Sequence, residues 1–260
     1  MYTPVDALEN LKSRLVNWIR LQVKDACAGG CVVGISGGID SAVVAALCKE
    51  AMPGNVLGIH MPCYGNPQDT EDARLVADSL KIGYKEIHLE EAFDCITAAL
   101  LLSRKSHEMD ALGSNHALLE NAEKLAISNI KPRLRMIVLY YHANLYDYLV
   151  AGTGNRSELE VGYFTKYGDG GVDILPLGGL VKTQVRELTR HLGIHARVIY
   201  KAPTAGLWEG QTDEGELGFT YAQLDEIILT GKGDERVAGE VMKRKQACGH
   251  KLRAPLIPDF

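Results

Sequence analysis

The stretch Cys31-Val32-Val33-Gly34-Ile35 followed by Ser36-Gly37-Gly38-Ile39-Asp40-Ser41 decides the fold. An apolar run of five reads as a buried strand, and a glycine-rich turn follows it directly. Ala42 to Ala51 then reads as a helix, stopped by Met52-Pro53-Gly54, and Val56-Leu57-Gly58-Ile59-His60 as a second strand. Strand, loop, helix and strand within about 30 residues is the signature of a βαβ unit on a parallel sheet.

The pattern continues outward. Val5, Leu8, Leu11, Leu15, Ile19 and Val23 recur at helical spacing before the first strand. Asp69 to Leu80 reads as a helix, Tyr84 to Leu89 as a strand and Glu91 to Leu102 as a helix. Ser103 to Ser114 reads as a loop, and Asn115 to Asn129 and Pro132 to Tyr148 as two more helices. Leu149 to Thr153 is another expected strand, and Lys182 to Leu192 a helix closed by Gly193. Asp225 to Thr230 and Glu235 to Gln246 supply the final helices, and the glycine- and acid-rich Thr204 to Gly218 reads as a surface loop. The expected architecture is α/β: a doubly wound, mainly parallel sheet with helices on both faces. Its ligands belong at the carboxyl ends of the strands, near a switch in strand order.

With 260 residues, 46% hydrophobic and 23% charged, the chain suits one large soluble domain spanning 1–260. A net charge of −5 argues against a nucleic-acid partner. The six cysteines are scattered without a Cys-x-x-Cys, as expected of reduced thiols. No signal peptide and no run of about 20 apolar residues is present, so a cytoplasmic protein without a membrane partner is expected.

The loop carries the chemistry. Its glycines let the backbone approach an anion closely, the free N–H groups of the helix start point at it, and Ser36 and Ser41 add hydroxyls. Asp40 would repel a bare phosphate, and its presence makes sense with Mg²⁺ between them. The string is neither a P-loop nor a dinucleotide loop. The alternative is a glycine turn with a helix-capping Ser or Asp.

The string S-G-G-x-D-S resembles the pyrophosphate loop of the N-type ATP pyrophosphatases, with their adenine nucleotide alpha hydrolase-like fold. Further strings narrow the resemblance: Ile130-Lys131-Pro132-Arg133-Leu134-Arg135-Met136, Gly152-Thr153-Gly154-Asn155-Arg156-Ser157-Glu158, Gly162-Tyr163-Phe164-Thr165-Lys166-Tyr167-Gly168-Asp169-Gly170, Lys201-Ala202-Pro203-Thr204-Ala205 and Gly210-Gln211-Thr212-Asp213-Glu214. Together they are similar to the NAD⁺ synthetase family over nearly the whole chain.

That resemblance implies amidation of deamido-NAD⁺ (nicotinic acid adenine dinucleotide) to NAD⁺. ATP adenylates the nicotinate carboxylate, ammonia attacks the mixed anhydride, and AMP and pyrophosphate leave. It implies ATP contacts from Ser36, Gly37, Gly38, Ile39, Asp40, Ser41, Thr153, Lys182 and Thr204, Mg²⁺ on Asp40 and Glu158, and catalytic roles for Asp40, Glu158 and Lys182. It implies a deamido-NAD⁺ site from Asn129, Arg133, Lys166, Asp169, Asp173, His250 and Lys251. Lys182 is unusual at a helix start, where a cation opposes the helix dipole. Gly154 and Asn155 stand where the family often has Asp-His, and no role carries over to them. A glutaminase domain has no room before Ser36, so the ammonia-dependent form is expected. A homodimer is implied too, with the helices from Asn115 to Tyr148 as a candidate surface. Other AMP-forming ATP pyrophosphatases (GMP-forming or tRNA-modifying) and a non-catalytic ATP-binding module are the competing readings.

Overall fold

The computed structural model describes residues 4–104, 116–204, 206, 208 and 210–259. Helix α1 (Val5–Asp25) leads into strand β1 (Gly30–Gly34), α2 (Ile39–Ala51), β2 (Val56–His60), α3 (Pro67–Leu80), β3 (Gly83–Glu86) and α4 (Glu90–Arg104). Next come α5 (His116–Ser128), α6 (Ile130–Tyr146), β4 (Tyr148–Ala151) and α7 (Arg156–Val161). The chain closes with α8 (Lys182–His191), α9 (Ala196–Ile199), α10 (Asp213–Leu217), α11 (Tyr221–Thr230) and α12 (Glu235–Cys248). The loop expected from Ser103 to Ser114 lies almost wholly outside the described residues.

The four strands pair in parallel in the order β3-β2-β1-β4, with Cys31 beside Val56 and Leu149. Winding runs outward from β1 through β2 to β3, while β4 sits on the other side of β1. The switch in strand order therefore falls between β1 and β4, and a crevice opens at their carboxyl ends. Alternation along β1 covers both faces of the sheet. Cys31, Val33 and Ile35 pack with Ile19, Leu47, Val185 and Leu188 of α1, α2 and α8. Val32 points the other way and packs with Ile59, Phe93, Leu134 and Val150. Both cores are buried because each strand face meets helices, the doubly wound arrangement expected from the sequence. A third cluster, including Val161, Tyr221, Leu224 and Val237, joins α7, α11 and α12.

Three local readings are revised. Helix α2 starts at Ile39, not Ala42, which brings Asp40 and Ser41 into its first turn. Helix α6 starts two residues before Pro132. The proline falls in the first turn, where its missing N–H would have no intrahelical partner anyway. The Thr204 to Gly218 stretch is not all surface loop: it contains α10, and Gln211, Asp213 and Leu217 are buried. Apolar periodicity is too short there to announce a five-residue helix.

Candidate active site

The glycine-rich loop from Ser36 to Ser41, the expected phosphate site, forms one wall of the crevice. The Ile35 N–H still bonds to the Ile59 carbonyl at 2.9 Å, and the chain then turns at Gly37, whose φ is +74°. A Cβ on Gly37 would lie 2.6 Å from Asp72 Cβ on α3, so the turn needs glycine for both its dihedral and its space. Two serines brace the loop. Ser41 Oγ donates to the Gly38 carbonyl at 3.0 Å and accepts the Ser36 N–H at 3.2 Å, and the two hydroxyl oxygens are 3.1 Å apart. The α2 N-terminus is thereby aimed into the crevice, a favourable place for an anion.

The opposite wall follows β4. Asn155 caps α7, accepting the Glu158 N–H on its side-chain oxygen while Glu158 Oε2 accepts the Asn155 N–H, a reciprocal capping box. Helix α8 begins at Lys182, held by buried neighbours: Ser157 Oγ accepts the Lys182 N–H at 3.0 Å, and Asp225 accepts both Ser157 Oγ–H and the Thr183 N–H. This fixes the lysine's direction. Its Nζ reaches Asp40 Oδ2 at 2.6 Å and Glu158 Oε1 at 3.1 Å, over the Tyr221 ring. The dipole cost of a lysine in a first turn is offset by these two carboxylates.

The cluster is electrostatically tense. Lys182 is only 2% exposed, Asp213 4% and Tyr221 fully buried. Burial pushes the Glu158 carboxyl up, to about 7, opposed by Lys182 and reinforced by Asp40. Burial works against the Lys182 ammonium, but Asp40 and then Glu158 outweigh it and hold its pKa above the ordinary lysine value. Asp213 is also raised, chiefly by burial, and accepts the Tyr221 hydroxyl at 2.9 Å. Two carboxylates thus share one ammonium while Asp213 adds its field nearby, an acidic excess suited to a further cation.

A cavity of about 450 Å³ joins the two walls, a size typical of small-molecule sites. Of the residues singled out in the sequence, Ser36, Gly38, Ile39, Asp40, Ser41, Thr153, Glu158, Lys182 and Thr204 line it, as do Asn129, Asp169 and Lys251. Gly37 forms the turn behind the lining. Thr165 links the second group, donating its hydroxyl to Asn129 Oδ1 and its N–H to Asp169 Oδ1. Lys251 Nζ donates to the Gly162 and Phe164 carbonyls. Arg133, Lys166 and His250 form an adjoining group outside the lining. Lys166 Nζ donates to the His250 carbonyl at 2.7 Å, and Arg133, exposed, donates to the Lys166 carbonyl at 3.4 Å. Asp173 lies apart from the cavity lining, accepting the Val150 N–H and the Tyr140 hydroxyl.

Of the two arginines beside Met136 that suit phosphate or carboxylate recognition, the substrate site was expected to use Arg133, but it is Arg135 that lines the cavity, donating to the Met61 carbonyl at 3.1 Å, whereas Arg133 faces out. Two arginines two positions apart cannot share a helix face. Lys201 lines the cavity while paired with Asp69 and Asp72, and Trp208 lines it beneath a Lys124 cation–π contact. Lys201 and Trp208 escaped the sequence reading; so did Asn155, fully buried behind the lining, although an N-cap residue three before a glutamate is a readable signal.

A parallel α/β sheet with a glycine-rich turn at its switch point, faced by two carboxylates and a lysine, is the architecture of the ATP pyrophosphatase class. The NAD synthase family model matches residues 11–254. The NH(3)-dependent NAD(+) synthetase of Carboxydothermus hydrogenoformans is 50% identical over 250 residues, 96% of this chain and 97% of that one. The NMN synthetase of Francisella tularensis superposes with a TM-score of 0.86 at 33% identity, over 97% of this chain and 99% of that one. The NH3-dependent NAD synthetase of Campylobacter jejuni gives 0.76 at 28% identity, over 97% and 99%. The chain belongs to the NAD synthase family.

Proposed function

We infer that the chain amidates deamido-NAD⁺ with ammonia in an ATP- and Mg²⁺-dependent reaction, releasing NAD⁺, AMP and pyrophosphate. The observation that carries this reading is the convergence of Asp40, Glu158 and Lys182 on the phosphate loop. Its support from relatives is the match to an ammonia-dependent synthetase covered almost end to end.

The residues divide the work as follows. The α2 N-terminus with Ser36 and Ser41 receives the triphosphate. Among the described residues no cluster of three or more His, Cys, Asp or Glu is arranged to hold an ion alone. Two carboxylates completed by phosphate oxygens suit Mg²⁺, which supports Asp40 and Glu158 as its ligands. Bound there, Mg²⁺ would neutralise phosphate charge and favour attack at the α-phosphorus. Lys182 supplies a fixed ammonium for charge developing on pyrophosphate. Thr153 and Thr204 offer hydroxyls from the rim. Asn129, Asp169 and Lys251, with Arg133, Lys166 and His250 beside them, receive the deamido-NAD⁺. Holding the nicotinate carboxylate against the α-phosphorus, and ammonia against the acyl adenylate, makes positioning the main catalytic device.

A homodimer fits the exposed apolar face of α6, where Ile137, Tyr141 and Leu145 stand four residues apart, each more than half exposed. No helix among the described residues is long and apolar enough to cross a membrane, and a cytoplasmic setting fits the substrates.

The similarity to an NMN synthetase favours one second reading, amidation of nicotinate mononucleotide. Purified protein with ATP, Mg²⁺ and ammonium, given either deamido-NAD⁺ or the mononucleotide, decides between them. NAD⁺ and equimolar AMP in the first arm are expected. Product only in the second would overturn the dinucleotide assignment, and AMP in neither would overturn the chemistry.

A further inference from the structure

Asn155 is fully buried and all its polar groups are engaged. Its Oδ1 accepts the Glu158 N–H at 3.1 Å, its backbone N–H donates to Glu158 Oε2 at 3.2 Å, and its Nδ2 donates to Asp40 Oδ1 at 3.0 Å. Only the first two bonds belong to helix capping, which needs a side-chain oxygen that Asp or Ser supplies equally well. The third crosses 115 positions of sequence to the phosphate-loop helix and serves no cap. Asparagine carries an acceptor and a donor on one short planar group, which lets it do both at once.

We propose that Asn155 is a positioning residue that sets the spacing of Asp40 and Glu158. It engages Asp40 Oδ1 and Glu158 Oε2, so the oxygens turned inward are Asp40 Oδ2 and Glu158 Oε1. Those are the two that Lys182 bridges. A carboxylate clamped through one oxygen cannot rotate freely, so the pair presents a fixed mouth to an incoming cation. The proposal rests on the reading of Asp40 and Glu158 as metal ligands.

The test compares Asn155→Ser with Asp40→Asn. Each is measured for melting temperature and for Mn²⁺ affinity, by electron paramagnetic resonance, with an α,β-methylene ATP analogue present. Serine keeps the cap but does not reach Asp40. Asn155→Ser should melt with the wild type yet bind Mn²⁺ about 10- to 100-fold more weakly. In the Asp40→Asn background the same change should add nothing, because its route is through Asp40. Wild-type Mn²⁺ affinity in Asn155→Ser, with Asp40→Asn impaired, would overturn the positioning role alone. Wild-type affinity in Asp40→Asn would overturn the ligand reading and this proposal with it. Should Asn155→Ser fold poorly, Asn155→Asp keeps shape and cap while replacing the donor with a carboxylate facing Asp40. Wild-type Mn²⁺ affinity in that variant would equally overturn the proposal.

Discussion

The Lys182 ammonium sits 2.6 Å from Asp40 Oδ2, joining the first turns of two helices 142 residues apart in the chain. The same ammonium is the nearest counter-charge to Glu158. It stabilises the resting site and lies on the two oxygens assigned to the metal, so its removal has opposite effects on stability and on access to those oxygens.

Lys182→Met should therefore destabilise the metal-free protein. Breaking a buried pair costs about 3–5 kcal/mol, and the partial exposure of both carboxylates brings the expectation to the lower end. Turnover should fall by roughly 100-fold or more with the charge at pyrophosphate gone. Urea unfolding with and without Mg²⁺ is the informative measurement: Mg²⁺ should stabilise the variant more than the wild type. An equal response in both would detach Lys182 from the carboxylate pair.

Gly37→Ala places a methyl group 2.6 Å from Asp72 Cβ and 2.9 Å from the Asp69 carbonyl at a positive φ. Strain and overpacking together should cost about 1–3 kcal/mol. The loop would shift, and KM for ATP should rise. Gly193→Ala is the control, since that glycine also has positive φ but open space around it. If both variants match in stability and in KM, the contact with α3 does not shape the loop.

His60 is buried between the Ile35 carbonyl at 2.8 Å and Thr70 Oγ1 at 3.0 Å, and burial depresses its pKa despite the carbonyl's opposing pull. The unfolded chain then binds the proton first. Stability should fall as pH drops below the unfolded histidine value, with a limiting slope of about 1.4 kcal/mol per pH unit, and level off below the folded pKa. Denaturant titrations from neutral to mildly acidic pH should show His60→Gln lacking this component. Parallel curves for the two proteins would show that His60 does not titrate on unfolding.

Tyr141 is 63% exposed in the middle of the α6 apolar face. Tyr141→Glu should convert a dimer into monomers in sedimentation velocity without changing the far-ultraviolet circular dichroism. A wild-type chain that sediments as a monomer at assay concentration would remove this face as a dimer contact.

Much of the fold was legible because its signals are local. The apolar run from Cys31 to Ile35, the glycines after it and the return of the pattern at Val56 specify a parallel unit through periodicity and turn chemistry. Boundaries were less legible. The α2 start moved to Ile39 because Gly38 takes the capping position, and α10 was hidden in an acidic stretch whose few apolar positions pack against distant helices.

By itself, then, the sequence determined the glycine-rich loop after β1, the βαβ unit around it and most of the longer helices, since each is written in local periodicity and turn chemistry, while the resemblance of longer strings pointed to Asp40, Glu158 and Lys182. Only the tertiary structure decided that Asp40, Asn155, Glu158 and Lys182 meet, that Arg135 rather than Arg133 turns into the cavity, and that Asp213 is buried beside them. Those relations depend on where β4 lies beside β1 and on the burial that strengthens each charge, and neither is a property of any short segment.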